Sequence, residues 1–205
     1  MNLRNNKSLA TRFILASGWI LGEHGLGQFL RFIGNLILTR LLAPEMFGVM
    51  AIAHVVISGI AMFSDVGLDL NIIRSKRGMD VRFLNTVWTI QIIRGLVLCL
   101  SIIGLSFLIH TLALGDVWRS ESVYRNAHLP SVICLLAVSP LIDGFKSTKM
   151  AVANRKLDMR KLAFIQFGSQ VVGVASMVIL ALINPNIYAL AFGGILGRFV
   201  LVLSS

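Results

Sequence analysis

Charge is scarce in this sequence. Only 14% of its 205 residues are Asp, Glu, Lys or Arg, against about 25% in a soluble domain. With 56% hydrophobic residues and a mean hydropathy of +0.82, the chain has too little polar surface to cover a soluble globule. The same apolar richness excludes intrinsic disorder, whose chains are poor in such residues. Cysteine is nearly absent: Cys99 and Cys134 both sit inside apolar runs, with no CxxC and no Cys/His cluster. That excludes a disulfide framework and a zinc site. Catalytic signatures are missing too: no HExxH, GxSxG, Walker A or dinucleotide fingerprint occurs. Asp65 and Asp69 are four apart, not a DxD pair, and Asp116 and Glu121 stand in a short loop without a supporting site. No enzyme, cofactor or metal is expected. Acids are the rarest charge, 9 against 19 Lys and Arg, for a net charge of +10. In so apolar a chain that surplus predicts basic loops on one side of a membrane, not nucleic acid.

What the chain has instead is long apolar runs. A bilayer-spanning helix needs about 20 mostly apolar residues. Six candidates meet that need, over 13–39, 47–64, 83–112, 129–149, 162–183 and 187–205. The expectation is an all-α polytopic membrane protein of six transmembrane helices, packed as a single lobe. The first run is too long and too polar for a cleavable signal peptide, since it carries Glu23, His24, Arg31 and Asn35. Pro140 falls in the middle of the fourth run and is expected to kink it. The final residues, FVLVLSS, end a helix without a polar cap or basic flank, as a chain cut from a larger protein would.

Lys and Arg decide orientation. With the N-terminus inside, the inner segments hold Arg4, Lys7 and Arg12, then Arg74, Lys76, Arg77 and Arg82, then Lys146, Lys149, Arg155, Lys156, Arg160 and Lys161. The outer segments hold only Arg40, Arg119 and Arg125. Thirteen against three is a strong asymmetry. It predicts a cytoplasmic N-terminus.

Periodicity then shows which helix faces are polar. In the first run His24, Gln28, Arg31 and Asn35 stand at i, i+4, i+7 and i+11, within a stripe of roughly 60°. Polar groups are costly in hydrocarbon, so this stripe faces either a water-filled cavity or other helices. Gly18, Gly22 and Gly25 form a second stripe on another face, with a GxxxG spacing that permits close helix packing. The second run repeats the polar spacing more weakly with His54, Ser58, Ala61 and Asp65, where Asp65 either extends the stripe or caps the helix end. Gln91 and Arg94 mark the third run. Gln166, Ser169, Gln170, Gly173 and Ser176 mark the fifth, and Arg198 follows Gly193, Gly194 and Gly197 in the sixth. Asp143 and Lys146, at i, i+3, are expected to form a local ion pair.

Three arginines, Arg31, Arg94 and Arg198, fall at membrane depth. Each costs about 2.5–3.5 kcal/mol at a helix centre, and less where it snorkels to an interface. Glu23 is the one carboxylate of comparable depth. Such a cationic excess asks for an anionic ligand, because guanidinium forks fit phosphate and carboxylate oxygens.

The stretch LTRLLAPEMFGVMAIAHVVISGIAMFSDVGLDLNIIRSK, residues 38–76, resembles bacterial polysaccharide exporters. The resemblance rests on Arg40, Leu41, Leu42, Pro44, Phe47 and Gly48, and then on Phe63, Ser64, Asp65, Gly67 and Leu68. FLNTVWTIQIIRGL, residues 83–96, is similar to the third helix of the same family. These are the oligosaccharide flippases of the Wzx type, within the superfamily that also holds multidrug extruders. The resemblance implies a transporter of two six-helix lobes, of which this chain supplies the N-terminal one. It implies flipping of undecaprenyl-pyrophosphate-linked oligosaccharide units across the bacterial inner membrane, for lipopolysaccharide or exopolysaccharide. The expected substrate and cavity residues are Arg31, Arg94, Arg198, His24, Gln28, Asn35 and Gln91, with Asp65 and His54 as coupling or gating groups. The expected partners are membrane lipids and a C-terminal lobe, from the same chain or a second one. The competing readings are a cation-coupled extruder, which would favour deep acids, and a scaffold whose polar stripes pack dry.

The charge asymmetry is tested by single cysteines at Ser8, Ser120 and Asn154. An impermeant maleimide applied to intact cells is expected to label only the cysteine at 120. Labelling at 8 or 154 alone reverses the assigned topology.

Overall fold

The computed structural model describes residues 3–64, 67–75, 78–114, 128–155 and 158–205. Among them every regular element is a helix, in the order α1 (Leu3–Leu41), α2 (Pro44–Phe63), α3 (Leu68–Arg74), α4 (Val81–Leu114), α5 (His128–Leu136), α6 (Val138–Gly144), α7 (Lys149–Arg155), α8 (Met159–Ile183) and α9 (Ile187–Ser204). The long helices follow the apolar runs. Local chemistry fixes their ends: Pro44 opens α2, where its missing N–H costs nothing, and Glu45 adds a carboxylate to the same first turn. Gly67 precedes α3 with φ 63°, a left-handed turn that suits glycine.

Among the described residues four helices are long and apolar enough to cross a bilayer: α2, α8, α9 and α4 as far as residue 112. The α5–α6 segment joined to α7 makes a fifth if that bent pair is one span. The sequence expectation of six is met only this far. The helix that falls short is α1, 39 residues long, whose apolar run is interrupted by Glu23, His24, Gln28, Arg31 and Asn35. The fourth run also departs from its expected outline. Its helix breaks at Ala137, one residue after Leu136, the carbonyl that the ring of Pro140 obstructs. The sharp turn comes later, where α7 leaves at 60°.

The buried core lies towards the end of the bundle where α1 finishes and α2 begins. There Leu38 and Leu42 meet Val49, Met50 and Ala53 of α2, Leu129, Val132 and Ile133 of α5, and Leu190 and Ala191 of α9. Ser106 of α4 is buried there too, and its hydroxyl donates to the Pro130 carbonyl at 2.7 Å. That bond removes the cost of an unpaired polar group. A smaller cluster of Ile72, Val87 and Ala151 joins α3, α4 and α7 at the basic end. Arg155 belongs to that junction: its guanidinium donates to the Ile72 and Ser75 carbonyls at the end of α3. A residue read from the sequence as a loop charge therefore closes a helix terminus.

Away from the core, α1 packs substantially on α8 alone. The contact does not use the Gly18, Gly22 and Gly25 stripe, around which a Cβ would meet nothing within 4 Å. It uses Gly27 and Gly34 instead. A Cβ on Gly27 would lie 2.7 Å from Oε1 of Gln170, and one on Gly34 would lie 2.6 Å from Val174 Cγ1. A backbone-to-backbone approach joins α8 to α9. A Cβ on Gly197 would stand 3.0 Å from Gly173 Cα and 3.1 Å from the Ser169 carbonyl oxygen.

Replacing Gly197 with Leu in the full-length protein is therefore expected to lower its unfolding midpoint in detergent by on the order of 5 °C, as overpacking does. Gly104→Leu, placed where nothing lies within 4 Å, is expected to leave the midpoint unchanged. Equal midpoints for the two variants refute the α8–α9 contact.

Candidate functional site: a polar groove between α1, α8 and α9

A groove of about 780 Å³ runs between α1, α8 and α9. One wall is the polar stripe of α1: His24, Gln28, Arg31 and Asn35, with Glu23 beside them. The floor is α8, through Gln166, Ser169, Gln170, Gly173, Val174 and Met177. From α9 come Gly194, Gly197, Arg198 and Leu201. Helical periodicity explains the convergence. Residues seven apart on α1, Gly27 and Gly34, seat that helix on α8, and the polar residues interleaved with them face the same side. Gly173 stands in the floor where α9 lies almost on the α8 backbone, which leaves no room for a side chain at that point.

Hydrogen bonds fix this geometry. Gln170 Nε2 donates to the Gly27 carbonyl at 2.7 Å and ties α8 to α1. Ser169 and Ser176 donate to carbonyls of their own helix, Gln166 at 2.8 Å and Val172 at 2.7 Å, which lowers the cost of a hydroxyl in an apolar helix. Glu23 and His24 pair at 2.8 Å, Oε2 to Nδ1, with 11% of the Glu23 side chain exposed and 77% of the His24 side chain. At the basic end of the groove the guanidinium of Arg160 lies 5.6 Å from the ring centre of Trp19 and 5.9 Å from that of Phe164. The two rings are themselves 5.6 Å apart, so the cation and the aromatic pair clasp α1 and α8 together.

The residues singled out from the sequence divide into two groups. His24, Gln28, Arg31, Asn35 and Arg198 line the groove together. Arg94, Gln91 and His54 do not line it. Arg94 donates from Nε to Ser64 Oγ at 3.1 Å and from Nη2 to the Ala61 carbonyl at 3.3 Å, and so holds α4 to the end of α2. Gln91 donates to the Asp143 backbone carbonyl at 3.2 Å, which ties α4 to α6. His54 lies exposed on α2. Asp65 lies outside the described residues. Asp143 pairs with Arg198 of α9, so the expected local pair with Lys146 gives way to a contact 55 residues away in sequence. The deep cationic excess is smaller by one than the sequence suggests, because Arg198 has a carboxylate. Arg31 has no partner among the described residues. Sequence reasoning missed Asp143 because the nearer cation, Lys146, satisfied the spacing rule. The overlooked signal was depth: Asp143 and Arg198 both stand near the basic ends of their helices.

The fold and groove define a class: a helical membrane protein with a lateral cationic cavity. A family model described as polysaccharide biosynthesis protein matches residues 37–205, and the chain belongs to that family. The resemblance carried by residues 38–76 and 83–96 is borne out at this level. The chain is 29% identical over 167 residues to a protein of Klebsiella pneumoniae titled "Uncharacterized membrane protein in cps region". The match covers 82% of this chain and 32% of that relative, so the chain spans about a third of the relative's length. No solved structure matches.

The seating of α1 on α8 is directly testable. A Cβ on Gly34 would lie 3.8 Å from Val174 Cβ, close to the mean Cβ separation of about 3.8 Å in disulfides. In a variant with Cys99 and Cys134 replaced by Ala, Gly34→Cys with Val174→Cys is expected to oxidise to a disulfide, read by peptide mass spectrometry. Gly18→Cys with Val174→Cys is expected to stay reduced. The reverse pattern means that α1 packs through the other glycine face.

Proposed function

We propose that this chain is the N-terminal lobe of a transporter that flips lipid-linked oligosaccharide units across the bacterial cytoplasmic membrane, with its N-terminus inside. On this reading the groove between α1, α8 and α9 is one wall of the path, and a second lobe supplies the other. Substrate is held between the lobes, which rock in alternating access. The groove binds the pyrophosphate group that joins sugar to undecaprenyl lipid. Neither nucleic acid nor a cofactor is part of the reading.

One observation carries it: two guanidinium groups, those of Arg31 and Arg198, line one groove. The Gln170–Gly27 bond and the Gly197 contact with Gly173 and Ser169 put Gly27, Gln170 and Gly197 at one level. Arg198 is adjacent to Gly197, and Arg31 is four residues beyond Gly27, about 6 Å along the helix axis. Two forks so placed suit two linked phosphates. The runner-up, an extruder of cationic compounds, would need a free carboxylate here. The acid lining the groove, Glu23, is paired with His24.

Arg31→Ala in the full-length transporter is expected to abolish polysaccharide export while leaving membrane insertion intact. Arg31→Lys is expected to restore export only in part, because an ammonium keeps the charge but not the planar fork. Export at the wild-type level from the alanine variant would falsify a substrate role for Arg31.

A further inference from the structure

Arg198 lines the groove, yet its guanidinium is engaged with the carboxylate of Asp143, which is not among the groove's lining residues. Two firmly joined helix pairs meet at this contact. On one side α6 is fixed to α4: Gln91 Nε2 bonds the Asp143 carbonyl, and a Cβ on Gly144 would come within 3.1 Å of the Gln91 oxygen. On the other side α9 is fixed to α8 through Gly173 and Gly197. Asp143 has a short side chain on an anchored backbone. Arg198 has a long one, and its backbone neighbour Gly197 forms part of the groove. Of the two partners, Arg198 is therefore the one able to move without disturbing helix packing.

The pair is also easy to open. The two side chains are 43% and 45% exposed, so water screens the attraction and neither charge is stranded when they separate. An anion entering the groove offers Arg198 the same kind of acceptor that Asp143 does, with more oxygens.

We propose that Asp143 is a resident counter-anion which Arg198 exchanges for the phosphate oxygens of the bound substrate. Asp143 is then a positioning residue. It holds Arg198 in place in the empty groove, competes with the substrate for it, and draws it back when the substrate leaves. Substrate binding consequently breaks the charged link between the α4–α6 and α8–α9 pairs, and release restores it. The proposal rests on the reading of the groove as a pyrophosphate site.

Inorganic pyrophosphate, titrated calorimetrically into the purified full-length transporter, tests the exchange. Asp143→Asn keeps the shape but frees Arg198, and is expected to tighten binding about fivefold, as removal of a competing state does. Asp143→Glu is expected to bind as the wild type does. In an Arg198→Gln background, Asp143→Asn is expected to change nothing. A tightened affinity cannot come from a misfolded variant. Unchanged or weakened binding by Asp143→Asn overturns the exchange, and so does equal tightening in the Arg198→Gln background, which would show only a general field effect. Arg31→Ala separates the two ideas. If pyrophosphate binds in an Arg31-dependent manner and Asp143→Asn has no effect, the exchange fails and the site stands. If pyrophosphate binds to neither wild type nor Asp143→Asn, both fail.

Discussion

The groove has the form it does because α8 and α9 come close enough for their backbones to touch. At Gly173 and Gly197 neither helix has a side chain to hold the other away. In a membrane the force between helices is mostly close packing, since lipid tails are as apolar as leucine, and small residues allow the closest fit. That contact makes α8 and α9 a single two-helix plank. It brings Arg198 to the edge of a floor made by Ser169, Gln170 and Gly173. The third wall, α1, is then hung on α8 by Gly27, Gly34 and one amide. Fill either glycine contact and the groove changes width before any polar residue is touched.

Scarcity of acid governs the rest. With 9 carboxylates for 19 cations, most guanidinium groups must find other acceptors, and the structure uses what a helical bundle leaves free. Helix ends carry carbonyls without intrahelical partners. Arg94 adds to the Ser64 N–H on the Ala61 carbonyl at the end of α2, and Arg155 reaches the Ile72 and Ser75 carbonyls at the end of α3. Arg160 settles over aromatic faces, and Arg198 takes the carboxylate of Asp143. Each of these arginines thereby fastens one element to another. Arg31 is different in kind: it lies exposed in the groove, with no partner among the described residues.

How much of this was legible beforehand depended on how local the cause was. The apolar runs gave α2, α4, α8 and α9 nearly residue for residue, because a span is a local property of composition. The α1 stripe was equally readable, since His24, Gln28, Arg31 and Asn35 share a face by spacing alone. Partner choice was not readable. The GxxxG at Gly18 and Gly22 advertises packing, yet α1 is seated by Gly27 and Gly34, whose importance comes from Gln170 and Val174 more than 130 residues away. Arg94 looked like a cavity residue because depth was inferred from its run. Its actual acceptors, Ser64 and the Ala61 carbonyl, lie at the end of another helix. The short helices α3 and α7 lie between the apolar runs and leave no mark in the sequence. Each has seven residues, too few to show a period, and they are held by Arg155 and a three-residue apolar cluster instead.

A polar groove on the side of an apolar bundle is not stable in contact with lipid. An arginine at membrane depth costs about 2.5–3.5 kcal/mol, and the neighbouring amides and imidazole add to that. Water, protein or an anion must therefore occupy the space beside Arg31. Water alone lowers the cost but leaves a wet slot open sideways to hydrocarbon. A second protein surface would close such a slot and keep it wet. The walls of the groove are attached in different ways. Along the groove the substantial contact of α1 is with α8 alone, and beyond the groove Leu38 and Leu42 bury its end in the core. On the other side of the groove α9 is closed onto α8 at Gly173 and Gly197. The groove is thus walled on one side by a helix held through glycines and one amide, and on the other by two helices in backbone contact.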